Sequence, residues 1–460
     1  MSLSTNEDYT LYIDSQSGRN GVGRIEGMAV FVDGAVAGDT LLVRLSKIKR
    51  THAFGVIRKV LSPSAMRAEP HCTLCRRCGG CPFGQIAYRS QLELKTRQVK
   101  DALLHIGSID ADVSPCIGME DPLRYRNKMV FPVSRRGDDV VFGFYAPKSH
   151  DVIPMRDCPL GPTEAGRAAG ALCRYMNEYG FEPYDELTGT GLVRRLFWRR
   201  GFSSGESMAV VVCAGRSVPH PDELVSALRR ADKGLRSVIL NIHEGRSNRV
   251  LGSENVTLWG KPSISERLCS FDFDISPLSF FQVNPVQTER LYDVALGFAD
   301  IKEGERVLDL YCGIGTISLC AARRAAHVTG VEIVEDAIEN ARINARSNGV
   351  SNASFIAGDA PQVIGSLTEK NEKCDVVILD PPRAGSDEKT LSCVASMRPR
   401  RIVYVSCNPA TLARDVKFLL PFGYAPERIQ PIDMFPFTEH VETVCLLTHN
   451  RNACRPHIKP

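Results

Sequence analysis

An alternation that begins near residue 275 constrains this chain most. Short apolar runs, VLDLYC (307–312), HVTGVE (327–332), NASFIAGD (352–359), DVVILD (375–380) and RIVYVSC (401–407), are each followed by a stretch of helical periodicity. Apolar runs this short and continuous, joined by crossover helices, are the pattern of parallel strands buried on both faces. A chain with this pattern folds as a doubly wound α/β domain, expected here over 275–460. In such open sheets ligands bind beyond the carboxyl ends of the strands, so the residues closing these runs are the first candidates for function.

At 460 residues, and about 150 per domain, some three domains are expected. Residues 9 to 60 carry the alternating runs YTLYID, MAVFVD, TLLVRL and AFGVIRKV, separated by glycines. They predict a small all-β barrel within 1–62. Arg44, Lys47, Lys49, Arg50 and Arg58 lie on its later strands and make a candidate cationic face. LSPSAMRAEP (61–70) reads as a linker. A central α+β domain is expected over 71–270, with a helix at 86–106, further helices near 162–178 and 221–231, and strands in RYRNKMVFPV, VVFGFYAP, GLVRRLFWRR, MAVVVCA and SVILNIHE. Its Arg124, Arg126, Lys128, Arg194, Arg195, Arg199 and Arg200 lie among aromatics, a mixture suited to phosphate contact and base stacking.

Composition narrows the classes. With 43% hydrophobic and 24% charged residues the chain is globular, and its formal charge of +4 neither demands nor forbids a polyanionic partner. No run reaches the ~18 uncharged apolar residues of a membrane span, and MSLSTNEDYTLY lacks the basic flank and apolar run of a signal peptide. A cytoplasmic location without membrane association is expected. Four of the 16 cysteines crowd into 72–81, which in a reducing compartment indicates a metal site rather than a disulfide framework.

The segment VLDLYCGIGTISLCAARRA places a strand, then Gly313 and Gly315, then a helix, and the next strand ends in Glu332. Glycines there let a ligand approach the backbone, and the acid suits ribose hydroxyls. Ser318 stands where a dinucleotide fingerprint wants a third glycine or alanine, so close packing over a pyrophosphate is not encoded. Asp309 before the loop favours a cation. S-Adenosylmethionine, a sulfonium without phosphate, fits both facts, and Asp359 is placed for its adenine amine. LDPPRAG (379–385) and SCNPATLARD (406–415) bring Asp380 and Cys407 to the same sheet edge, and a cysteine before an Asn-Pro turn is a candidate nucleophile. MFPFTEHVETVCLL carries His440 and Glu442 just before the last apolar run. Cys72, Cys75, Cys78 and Cys81, with Pro82 following, have a spacing closer to ferredoxins than to zinc ribbons, although four thiolates suit either metal.

Taken together, FFQVN, DLYCGIGT, LDPPRAG, SCNPATLARD and EHVET resemble, in order, the motifs of the uracil-C5 RNA methyltransferases, which form 5-methyluridine in ribosomal and transfer RNA. The resemblance covers nearly the whole chain. It implies that Cys407 is the nucleophile and Glu442 the base, and that Gln282, Tyr311, Gly313, Gly315, Thr316, Glu332, Asp359 and Asp380 lie at the S-adenosylmethionine site. Asp380 would bond the cofactor or the uracil edge. The barrel resembles the RNA-binding TRAM domain, and CTLCRRCGGC with RDCP resembles the family's 4Fe–4S site, implying Cys72, Cys78, Cys81 and Cys158 as ligands. The resemblance further implies RNA as the partner, ribosomal RNA before transfer RNA, and no obligate protein partner. Two rivals remain at this point. An NAD-type oxidoreductase with an iron–sulfur relay is disfavoured by the missing third glycine, and a non-catalytic RNA-binding scaffold would leave Cys407 and Glu442 without work.

Overall fold

A computed structural model describes residues 3–247 and 249–449, so the extreme ends of the outer two expected domains lie outside the described residues. Five strands form a closed barrel: β1 (Asp8–Ser17), β2 (Asn20–Ile25), β3 (Met28–Asp33), β4 (Thr40–Ile48) and β5 (His52–Ser62), in the order β1-β2-β3-β5-β4. Leu11, Ile13, Val30, Val32, Leu41, Val43 and Leu45 alternate inward and fill it. Strand β2 was absent from the expectation because NGVGRI has too few apolar residues to signal a strand. Gly21 and Gly23 are required there: a Cβ at either would come within 2.7 Å of Ile13 or Leu11, or nearer still to backbone. The expected linker is anchored instead of free. Buried Asp39 accepts from the Ser64 backbone at 2.9 Å and pairs with Arg67 at 2.7 Å.

After the short turn α1 (Cys75–Cys78), helix α2 (Tyr88–Ala102) begins the path to the central sheet. The sequence places α2 in the central domain, but its Val99 packs with Ile402, Tyr404, Leu412 and Val416 of the C-terminal domain. Seven strands follow: β6 (Lys128–Arg136), β7 (Asp139–Tyr145), β8 (Val152–Pro154), β9 (Val193–Arg200), β10 (Ser207–Cys213), β11 (Leu235–Ile242) and β12 (Glu254–Gly260). Their order is β12-β11-β10-β9-β6-β7-β8. Helices α3 (Thr163–Tyr179) and α4 (Pro221–Ala231) cover one face, burying Ala209, Val211 and Cys213 of β10. Met208, Val210 and Val212 point to the other face and join the core of the C-terminal domain.

This double burial removes Arg194 and Arg199 from the expected RNA-contacting arginines. Arg194 is fully buried, pairs with Glu186 at 3.0 Å and stacks over Tyr184 at 3.7 Å. Arg199 donates to the carbonyls of Ser276 and Ser279, and Arg124 to Asp157 and the Cys158 carbonyl. Arg195 and Arg200 pair with Glu186 and Glu164. Burial, with Arg199 and Arg126 nearby, pushes Lys128 down to about 8.

A hairpin of β13 (Ile264–Leu268) and β14 (Phe271–Ile275) leads through α5 (Pro285–Ala299) into the last domain. There β15 (Arg306–Leu310), α6 (Thr316–Ala322), β16 (His327–Glu332), α7 (Glu335–Ser347), β17 (Ala353–Ala357), α8 (Ala360–Glu369), β18 (Val376–Leu379), α9 (Glu388–Met397), β19 (Arg401–Ser406) and α10 (Pro409–Leu419) alternate as expected. The chain closes with β20 (Tyr424–Ile432) and β21 (Glu442–His449), and β21 inserts antiparallel between β19 and β20. The sheet order is β17-β16-β15-β18-β19-β21-β20, with the direction of winding reversing between β15 and β18, where a ligand crevice belongs. Among the described residues no helix is long and apolar enough to cross a membrane.

Candidate active site

The loop from β15 to α6 is built around positive φ. Tyr311 (φ 65°), Gly313 (53°) and Gly315 (83°) turn the chain sharply, and the two glycines have different duties. Nothing lies within 4 Å of a Cβ at Gly313, so that position opens towards a ligand, whereas a Cβ at Gly315 would press on the Phe355 ring at 3.0 Å. Ser318 explains its departure from the dinucleotide pattern: its hydroxyl donates to buried Asp309. The other Asp309 oxygen has no partner among the described residues, and burial raises this carboxyl to about 7.

Beside the loop a pocket is lined by Gln282, Tyr311, Gly313, Thr316 and Asp380, five of the eight expected cofactor residues. Gly315 packs beneath it. Glu332 lies just outside, its carboxylate accepting from the Gly313 and Val334 backbones at 3.3 and 3.1 Å. Asp359 lies one strand further, at the start of α8, linked to Glu332 through the Gly358 N–H to the Glu332 carbonyl at 3.0 Å. Gly315, Glu332 and Asp359 do not line the pocket. Sequence reasoning missed Tyr292 and Phe280, which also line it. Tyr292 is buried and its hydroxyl meets that of Thr316 at 2.7 Å; it belongs to a helix without any motif, so nothing in the sequence marked it. Phe280 is 68% exposed and could have been found from FFQVN, whose first ring has no core to join.

The lining suits S-adenosylmethionine: an open backbone at Gly313, the Asp380 carboxyl for a cation, and aromatic walls from Phe280, Tyr292 and Tyr311. Asp380, raised to about 7 by burial, links this pocket to the reacting side. The register Ser406 opposite Thr443 sets Cys407, at the end of β19, beside Glu442, at the start of β21. Burial pushes Glu442 up to about 8, with the charge of Asp380 adding to the effect. Burial likewise raises the Cys407 thiol to about 11, with Glu442 and Asp380 adding and the Arg383 guanidinium opposing. Asn408 fixes the turn. Its Oδ1 accepts from the Ala410 N–H and its Nδ2 donates to the Arg383 carbonyl. His440 is half-buried, with Arg383 3.5 Å from its Nδ1.

A second cavity gathers Cys72, Cys75, Cys78, Cys81 and Cys158. Cys75 is set apart from the others: its thiol donates to the Cys81 carbonyl at 3.3 Å and lies against Gly84, where a Cβ would come 2.2 Å from its sulfur. Burial raises the thiols of Cys78, Cys81 and Cys158. Among the described residues no three ligand-type side chains are grouped as one metal ion requires. A tetrahedral zinc would need its four sulfurs each about 2.3 Å from a common point.

The cavity is bolted to the reacting side through Phe437. The Phe83 N–H donates to the Phe437 carbonyl at 3.0 Å, His71 lies against the Phe437 ring at 4.1 Å, and Gln91 accepts from the Phe437 N–H at 2.9 Å.

A family model described as tRNA (uracil-5-)-methyltransferase matches residues 245–450. An uncharacterized RNA methyltransferase of Clostridium tetani is 43% identical over 448 residues, covering 97% of each chain. One from Caldanaerobacter subterraneus is 44% identical over 427 residues, covering 93% of this chain and 94% of its own. Among solved structures, that of the Pyrococcus abyssi tRNA (uracil-54, C5)-methyltransferase in complex with S-adenosyl-L-homocysteine is similar at TM-score 0.76 and 29% identity, over 95% of this chain and 99% of that one.

Proposed function

The chain belongs to the RNA (uracil-5-)-methyltransferase family, and from that premise we propose that Cys407 and Glu442 carry covalent transfer of a methyl group to uridine C5, with ribosomal RNA as the substrate. The observation that carries the reading is the adjacency of one thiol and one buried carboxyl on neighbouring strand ends, with Asp380 joining them to the cofactor pocket.

Uracil C5 is a poor nucleophile until C6 is saturated. The Cys407 thiolate bonds to C6, and the electron pair released from the C5–C6 double bond makes C5 the attacking atom. When bound, S-adenosylmethionine would supply its sulfonium methyl to C5, the S–CH3 bond breaking with its pair returning to sulfur so that neutral S-adenosylhomocysteine leaves. Glu442, in its ionised form, then takes the proton from C5, and the pair left behind reforms the double bond and expels Cys407 as thiolate. Gln282, Tyr311, Gly313, Gly315, Thr316, Glu332 and Asp359 hold the cofactor, and Asp380 faces either its charge or the uracil edge. A uridine buried in a helix cannot reach this sheet edge, so the target is unpaired or flipped out of its stack.

Cys72, Cys78, Cys81 and Cys158 would hold a 4Fe–4S cluster that cross-links the 72–81 loop to the strand end at Cys158. Anaerobically purified protein is expected to carry about four irons. Iron should persist in Cys75→Ser and be lost in Cys158→Ser, whereas a single zinc would replace the cluster reading.

The barrel together with the cysteine set resembles the ribosomal RNA enzymes of the family. A transfer RNA substrate is the second reading, favoured by the Pyrococcus neighbour, which acts on tRNA. Methyl-tritiated S-adenosylmethionine incubated with the protein and total RNA lacking 5-methyluridine tests both. Label should appear as 5-methyluridine in the ribosomal fraction. Label confined to the transfer RNA fraction would select the second reading, and label in any other nucleoside would overturn the chemistry.

A further inference from the structure

The hairpin of β13 and β14 turns through two residues, Cys269 and Ser270, with Leu268 paired to Phe271 across the ladder. Both turn residues have positive φ, 50° and 64°. Asn and Gly are the residues at home in such a turn, so a cysteine at its first position needs a reason of its own. The tip of the hairpin rests on helix α6. Arg323, which caps that helix, donates to the Cys269 carbonyl at 2.5 Å and lies over the Phe271 ring, 4.3 Å from its centroid. Cys320 stands three residues before Arg323 and so on the same helix face. It is 4% exposed and belongs to the core against which Cys269 packs, and the two thiols are hydrogen-bonded to each other.

The pair is arranged as an attacking and a resolving thiol. Cys269 is partly exposed at the turn, and Cys320 lies buried behind it. The hydrogen bond from Cys320 holds the Cys269 thiol below its ordinary value, against burial and the carboxylates of Glu289 and Asp293 on α5, and the same bond raises Cys320. The thiolate is the form that oxidants attack, and a second thiol within reach converts the first product to a disulfide before oxidation goes further. Leu268, next to Cys269, lines the cofactor pocket, as do Thr316 and Ile317 at the start of α6. Hairpin and helix are therefore two walls of one pocket, and they meet at the thiols.

We propose that Cys269 and Cys320 form a reversible disulfide, made by hydrogen peroxide and undone by a dithiol, which ties these two walls together and weakens cofactor binding. The Cys269 thiolate attacks one oxygen of the peroxide, the O–O bond breaks, and hydroxide leaves with the pair, giving a sulfenic acid on Cys269. The Cys320 sulfur then attacks the Cys269 sulfur and expels a second hydroxide. The two thiol protons turn both hydroxides into water, and the two electrons lost by the thiols are those gained by the peroxide. A dithiol reverses the change through a mixed disulfide, leaving as a disulfide itself. Bonded sulfurs lie closer than two thiols can approach, so closing the bond draws turn and helix together beside the pocket.

Reduced full-length protein treated with hydrogen peroxide, alkylated with N-ethylmaleimide and digested with trypsin tests the bond. Peptides 268–290 and 307–323 should appear joined, with fragmentation placing the link at Cys320 and not at Cys312. Dithiothreitol should part them, and Cys320→Ala should not form the link. By calorimetry, S-adenosylhomocysteine should bind the oxidised protein at least about fivefold more weakly than the reduced one, the lower end of coupling between sites, and dithiothreitol should restore the affinity. Cys269→Ser treated alike should keep its affinity, which separates this pair from oxidation at other cysteines. Cys269 recovered alkylated, or oxidised without Cys320, would overturn the disulfide. A linked protein that binds S-adenosylhomocysteine as tightly as the reduced one would overturn its effect on the pocket. That effect rests on the reading of the pocket as the S-adenosylmethionine site, which binding by the reduced protein tests separately, while the peptide map judges the disulfide in either case.

Discussion

At the scale of residues, the two proposed reacting groups differ in what their loss should do. Cys407→Ala removes the bond to C6 and should abolish transfer. Glu442→Gln should leave transfer possible and block release, because the proton on C5 stays in place. The expected product is a denaturant-resistant protein–RNA adduct carrying labelled methyl, seen on a denaturing gel and absent from the Cys407→Ala/Glu442→Gln double variant. Normal turnover by Glu442→Gln would move the role of base to His440. The same carboxyls set a pH dependence. Asp309 and Asp380 are raised to about 7 and Glu442 to about 8, above their ordinary values of 3.8 and 4.5, so the folded protein holds protons that the unfolded chain releases. Stability from this source is complete below pH 4 and is lost as pH rises through 7 to 8. The ligand-free protein should therefore melt lower at pH 8.5 than at pH 6, and Asp380→Asn should flatten that difference. The motifs marked Cys407, Asp380 and Glu442 as candidates, because chemistry restricts which residue types can stand there, and the fold brings them to one sheet edge. Tyr292 was not legible, since a tyrosine on an amphipathic helix looks the same whether it faces a core or a cofactor.

At the scale of elements, the runs that became β15 to β19 were legible because each is buried on both faces and cannot alternate. What could not be read is which element packs on which. Helix α2 has an ordinary surface-helix pattern, yet Lys95 on it is fully buried, 2.5 Å from Asp433, and that carboxylate also accepts from the Tyr88 hydroxyl at 2.8 Å. Partners 338 residues apart leave no local trace. This pair, with the Lys95 ammonium also donating to the Phe435 carbonyl at 3.1 Å, holds the segment that runs from β20 to Glu442. Lys95→Met would leave a buried charge without its partner and should cost about 3–5 kcal/mol in a denaturant melt. Lys95→Met/Asp433→Leu should recover much of that loss. A small effect of the single change would show that water reaches the pair. Arg194 and Arg199 were misread for a related reason: periodicity shows that a sheet has two faces, but not that both are covered.

At the scale of the whole molecule, two cores meet across the central sheet, and the C-terminal sheet is completed out of chain order. Its last strand, β21, lies inside the sheet with Glu442 to Leu447 buried, while β20, made earlier, forms the edge. A chain ending at residue 420 would expose the flank of β19 and lose the partners of Val403 and Val405. It should show no cooperative thermal transition and no S-adenosylhomocysteine binding; a folded, cofactor-binding fragment would contradict the role given to β21. The ribosome delivers the proposed bond-forming residue, Cys407, 35 positions before the proposed bond-releasing one, Glu442. An interrupted product that folded would capture RNA and never let it go. Because the strand that begins with Glu442 also lies between β19 and β20, a chain would not gain the proposed nucleophile before its proposed means of release. Protein synthesis that stopped early would then yield an inert fragment instead of a trap for the cell's RNA.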